Sequence, residues 1–224
     1  MTVNALLNLV RRSARIDNVH IVLSSRPFEF SHDARLRTVA AESLTLELPA
    51  WSDVVAILES HGVQASGWPS DAQEVMRSPQ ALNTYLQLKA REESEPFSTY
   101  QAMLDRMWAE RVLAGEGGPR RARLAYDVAD HMAEEESLWL ARARFDDRND
   151  AVDELIAAGV LTPYRSDGSI GFTHQTLFEY TLARNFAQIK GKLSQYILER
   201  QASLFVRPKL WAALSYLRQT EAAA

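Results

Sequence analysis

Asn149-Asp150-Ala151-Val152-Asp153-Glu154-Leu155-Ile156-Ala157-Ala158-Gly159 and the residues that follow it, to Ala183, decide how this chain is read. Val152, Leu155 and Ile156 repeat at helical spacing, and Gly159 stands where a helix C-cap needs a left-handed residue. Two short apolar runs come next, Val160 to Tyr164 and Ser169 to Phe172, separated by Ser166-Asp167-Gly168, which is hairpin chemistry. Beyond them Phe178, Leu182, Phe186 and Ile189 return to a helical period. Upstream, Leu124, Val128 and Met132 mark one further helix, so the order is helix, helix, β-hairpin, helix.

That order is the one expected of a winged helix, assigned to residues 95–190. Its first helix opens at Ser98-Thr99-Tyr100-Gln101, carries Met103, Leu104, Met107, Trp108 and Val112, and ends at Gly115-Glu116-Gly117-Gly118-Pro119. Glu92-Glu93-Ser94-Glu95-Pro96 reads as the connector before it. Residues 49–94 read as a small helical domain. Ser52 is the expected N-cap of a helix bearing Val54, Val55, Ile57 and Leu58, with Gly62 as its stop. Ser70-Asp71-Ala72-Gln73 has the form of a capping box, and Ser78-Pro79 opens a helix to about Arg91.

Residues 1–48 differ in kind. A helix with Leu6, Leu7 and Val10 on one face precedes Val19-His20-Ile21-Val22-Leu23, a short apolar run that predicts a buried strand. Leu44-Thr45-Leu46-Glu47-Leu48 alternates and predicts a second strand, stopped by Pro49. This region reads as a remnant α/β edge. Residues 191–224 read as a helical extension, broken near Pro208. The fold class is therefore mainly α, with a partial α/β core at the front.

With 224 residues, 46% of them hydrophobic, the chain can fill a real core. Its formal charge of −4 and isoelectric point near 5.8 give no electrostatic footprint for nucleic acid or an anionic membrane. There is no cysteine, which excludes disulfides, thiolate metal sites and thiol nucleophiles. The first residues place Arg11 and Arg12 after their apolar stretch, where a signal peptide has its charge before it, and a cytoplasmic location is expected.

Three separated features, in this order, resemble the NACHT branch of the STAND signalling ATPases, which are related to the AAA+ proteins. The run ending in Ser24-Ser25-Arg26-Pro27 is similar to the family's sensor strand, and the resemblance places Arg26 near a terminal phosphate. A guanidinium at a strand's carboxyl end is always charged and can meet a phosphate with a forked hydrogen bond. Arg77-Ser78-Pro79-Gln80-Ala81-Leu82 is similar to the proline-opened helix whose proline packs near the adenine, although Pro79 also suits a simple helix start. Gly171-Phe172-Thr173-His174-Gln175-Thr176-Leu177-Phe178-Glu179-Tyr180 resembles the end of the family's winged helix, with Phe178 standing where glutamine is usual. There the resemblance implies that His174 contacts the β-phosphate of ADP.

No Gly-x-x-x-x-Gly-Lys-Ser/Thr loop is present; the one Gly-Lys pair, Gly191-Lys192, is followed by Leu193. Phe145-Asp146-Asp147 mimics an acidic Mg²⁺ strand but follows the sensor run. The chain is thus expected not to be an enzyme by itself and to bind no cofactor or metal alone. Resemblance implies that an intact parent would use ADP and ATP with Mg²⁺, oligomerise with like subunits and serve bacterial defence or signalling. The missing P-loop half would come in cis, this chain being a fragment, or in trans from a partner.

The alternatives are a winged-helix DNA-binding regulator and an adaptor chain that completes a split NTPase. Against DNA stands the acidic segment Asp146-Asp147-Arg148-Asn149-Asp150-Ala151-Val152-Asp153-Glu154, with Arg165 the lone cation of the hairpin. The histidines are dispersed; His131 beside Glu134-Glu135-Glu136 reads as a solvated helix end. Arg11-Arg12 and Arg120-Arg121 read as solvated surface pairs, and Glu179 as a structural acid for a neighbour such as Arg184.

Overall fold

A computed structural model describes residues 3–25, 30–31, 33–39, 42–89, 96–164, 168–189, 214, 216 and 218. It divides into two compact units, Met1–Glu47 and Leu48–Ala224. Described elements are mainly helical, with one small sheet. None of the described helices is long and apolar enough to cross a membrane.

In the first unit, α1 (Val3–Ser13) buries Leu7 and Val10, one turn apart, and its last turn carries Arg11 and Arg12, which suit the negative end of the helix. A single turn, α2 (Ala34–Arg37), is capped by Asp33, whose side chain accepts from the Arg35 amide at 2.9 Å. The Arg35 guanidinium closes on the same carboxylate and holds Asp33 down to about 2.

Here two expectations need correction. Neither Val19–Leu23 nor Leu44–Leu48 is a strand; both are irregular and exposed, with Val22 at 92%, Leu44 at 88% and Leu46 at 87%. Their apolar pattern suits a strand, but a strand forms only where neighbouring strands take up its N–H and C=O groups. Among the described residues of this unit no such neighbour exists, so the remnant α/β edge is not folded as a sheet.

The second unit is built on one continuous core running from Val54 to Leu182. Its first part comprises α3 (Trp51–Ser60), α4 (Ser70–Met76) and α5 (Pro79–Lys89). Trp51, Trp68, Tyr85 and Phe97 form a run of ring contacts with centroids 5.3 to 6.2 Å apart, which carries the core across from α5 to the segment before the next helix. Such edge and tilted pairs add to the area buried. Burial also raises the Tyr85 phenol.

The helix starts are corrected in two places. α3 begins at Trp51, one residue before Ser52, and Ala50 caps it through its carbonyl alone. α4 begins at Ser70 itself, so no capping box forms; the Gln73 side chain donates instead to the Trp68 carbonyl at 2.8 Å. Pro79 does open α5, and within the expected start Ser98–Gln101 it is Thr99 that caps the next helix, its hydroxyl accepting from the Ala102 amide at 3.1 Å.

That next helix, α6 (Tyr100–Trp108), widens into a π-turn at Ala109–Leu113 before α7 (Gly118–Glu134). β1 (Leu140–Ala141) and a 3₁₀ segment, Arg142–Arg148, lead into α8 (Asn149–Ala157). β2 (Leu161–Pro163), β3 (Ser169–Phe172) and α9 (Gln175–Ile189) follow. The sheet is antiparallel in the order β1-β3-β2, with Leu140 opposite Ile170 and Leu161 opposite Phe172. All four of these side chains are buried, facing the helices. Residues 165–167, which include Ser166 and Asp167 of the expected hairpin turn, and most of the expected C-terminal extension lie outside the described residues; Leu214, Tyr216 and Arg218 are helical.

Candidate functional site

His174 is set in place by the turn on either side of it. Gly159, at φ +71°, ends α8 in the left-handed conformation that glycine adopts without penalty. The turn it makes offers two carbonyls to the end of β3: Thr173 donates its amide to Val160 O at 3.1 Å and its hydroxyl to Gly159 O at 2.9 Å. The following carbonyl, that of His174, accepts from the amides of Leu177 at 3.0 Å and Phe178 at 3.2 Å. His174 therefore occupies the cap position of α9, and its side chain is exposed. Leu177 and Phe178 turn inward on the same helical turn, Phe178 meeting Phe172 at 5.9 Å between centroids. Backbone and core thus fix the position, and the imidazole is left to the solvent.

The first turn of α9 also meets α5. Gln80, directly after Pro79, donates its side-chain amide to the Thr176 hydroxyl, and the Tyr100 hydroxyl lies 3.4 Å from the same oxygen. Thr84 supports this from below by bonding the Gln80 carbonyl at 2.9 Å. Two of the three expected site residues, Pro79 and His174, are therefore exposed at the starts of two helices joined by a side-chain bond. The first amides of a helix have no intrahelical acceptor, and its dipole is positive there, so such a face favours an anion. Arg26 lies outside the described residues.

That Gln80 and Tyr100 meet Thr176 carried no signal in the sequence, because these contacts span 96 and 76 residues of chain. We expect Thr176→Val to cost about 1 kcal/mol, the usual worth of a neutral hydrogen bond. In a double-mutant cycle on urea unfolding, Gln80→Ala should add little once Thr176 is changed. Fully additive losses would mean that the two side chains do not work as a pair.

The other charged clusters are engaged among themselves. Arg120 and Arg121 both bind Glu154, at 2.6 and 2.8 Å, and Arg121, with Arg120, holds the Glu154 carboxyl below its ordinary value. These arginines therefore form ion pairs with a surface acid, which revises the reading of a purely solvated pair. Arg148 binds Asp127 at 2.5 Å. His131 lies 3.8 Å from Glu134, both half-exposed, and no cluster of metal-ligand type occurs among the described residues. Glu179 is not the partner of Arg184: it accepts from Gln175 at 2.9 Å, one turn back on the same helix. Arg184 crosses instead to α6, where its Nη1 donates to Asp105 at 3.1 Å.

No protein-family model, curated protein or solved structure matches this chain.

Proposed function

We propose that this chain is the nucleotide-sensing regulatory part of a NACHT-type STAND switch, with residues 95–190 as its winged helix. The observation that carries the reading is the placement of His174: exposed, at the cap of α9, beside the helix that Pro79 opens. A histidine there donates a hydrogen bond to a phosphate oxygen while the helix end favours the negative charge. Pro79 offers an apolar ring, without an N–H, to a base. In the intact switch ADP, held with Mg²⁺ by a P-loop half that this sequence lacks, would bridge to His174 and keep the winged helix closed. ATP would replace it on activation, releasing the chain to assemble with like subunits.

The exposed runs Val19–Leu23 and Leu44–Leu48 fit the same reading, since each would become a strand once the missing half supplied a sheet. Among the described residues nothing favours the duplex-DNA alternative. α8 presents Asp150, Asp153 and Glu154, and the arginines nearest to it are taken up by these acids and by Asp127.

In the intact protein, His174→Ala should speed ADP release about tenfold, the loss of one charge-assisted hydrogen bond. The check is the release rate of a fluorescent ADP analogue by stopped flow. An unchanged rate would remove His174 from the nucleotide site.

A further inference from the structure

We propose that Arg77 is a positioning residue that ties the entry of the chain into the larger unit to the turn that presents Pro79. The larger unit begins at Leu48, and its first two carbonyls meet one side chain. Arg77 Nε donates to the Pro49 carbonyl at 2.9 Å, and Nη2 donates to the Leu48 carbonyl at 3.4 Å. Neither carbonyl accepts from a backbone amide among the described residues. The next one, that of Ala50, accepts from the amides of Asp53 at 3.0 Å and Val54 at 3.3 Å in the first turn of α3. Three successive carbonyls are therefore engaged, two by Arg77 and one by the helix they lead into, while the ring of Pro49 fixes its own φ.

Arg77 is itself held. It is the C-cap of α4, its amide donating to Gln73 O at 3.1 Å, and Ser78 after it donates to Val75 O at 3.2 Å. The Ser78 carbonyl then accepts from the Leu82 amide at 3.0 Å, which closes the first turn of α5 around Pro79. Met76, directly before Arg77, is wholly buried in the core. The guanidinium thus stems from a fixed turn, and its bonds reach 28 and 29 residues back along the chain to the entry segment. A planar guanidinium meets both carbonyls at once, whereas a lysine ammonium is a point donor on a flexible stem. What the contact serves rests on the nucleotide reading: a base packed on Pro79 and the segment arriving at Leu48 are positioned through one side chain. The contact itself needs no nucleotide.

Amide hydrogen exchange on the full chain without nucleotide tests it, so its outcome is separate from that of the His174→Ala experiment. In Arg77→Ala we expect the amides of Asp53, Val54 and Leu82 to exchange about tenfold faster, while α7 and α9 are unchanged. Arg77→Lys, which keeps the charge but not the fork, should exchange about threefold faster at the same amides. It also carries the test should the alanine variant not fold. Unchanged exchange at all three amides would show that Arg77 fixes neither the entry segment nor the turn. A uniform rise that includes α7 and α9 would make Arg77 a contributor to global stability and no positioning residue. Full protection in Arg77→Lys would show that one charge suffices, which overturns the forked contact.

Discussion

Trp108→Ala is expected to destabilise the larger unit by about 3–5 kcal/mol, the range for removing a large buried aromatic side chain. Trp108 is wholly buried at the end of α6. It stacks on Tyr126 of α7 with centroids 5.4 Å apart, tilts against Tyr180 of α9 at 5.8 Å, and carries the Arg184 guanidinium on its face. One side chain thus joins three helices, and no single neighbour can move in to fill the space without leaving another. Its indole Nε1 is buried with no hydrogen-bond partner among the described residues. Replacing that donor by carbon removes an unsatisfied group, so Trp108→Phe should cost far less, about 1–2 kcal/mol. Urea unfolding followed by circular dichroism separates the two variants. A loss below 1 kcal/mol for the alanine variant would contradict the packing described.

Gly118→Ala should cost about 3 kcal/mol, although it adds a single methyl group. A Cβ at this position would stand 2.1 Å from the carbonyl oxygen of Leu113 and 2.7 Å from its carbon. The obstacle is backbone, and that backbone is held: Arg121 Nε donates to Val112 O at 2.9 Å, and its Nη2 donates to Ala114 O. Relief would need the π-turn to unwind or α7 to start later, and either change breaks these bonds. Gly67→Ala is the control, since a Cβ there meets nothing within 4 Å. Equal stability of the two variants would mean that the turn from the π segment into α7 is looser than this.

Where the apolar period and the stop residue coincide, the sequence could be read to within a residue or two. α8 ends at Ala157 before Gly159, β3 ends at Phe172, α5 opens at Pro79 and Thr99 caps α6. The hidden features lack a local code. β1 is two residues long, too short for alternation to register, and it exists because β3 offers it a free edge. The π-turn reads as ordinary helix, since widening one turn leaves the side-chain types unchanged. Ser52 and Ser70 look like caps, but both are inside their helices, where extended Ala50 and Pro69 set the first turn.

Conversely, Val19–Leu23 has the composition of a strand and no partner strand within the described residues, which a period cannot reveal. At the site, the position of His174 was readable from the residues around it. Its link to Pro79 was not, because Gln80 and Thr176 meet only through the packing of α5 against α9. Sequence proximity offers Glu179 as one partner for Arg184, but the bond of Arg184 crosses 79 residues to Asp105.

The most direct test of the nucleotide-switch reading is the mass and nucleotide content of the native protein, captured from its source cells with an antibody to residues 95–190. The reading predicts a species well above the 25.3 kDa of this chain, or a complex with a second chain, that releases ADP on denaturation and loses it in His174→Ala. A lone 25.3 kDa protein free of nucleotide, or equal ADP in the two proteins, would contradict it.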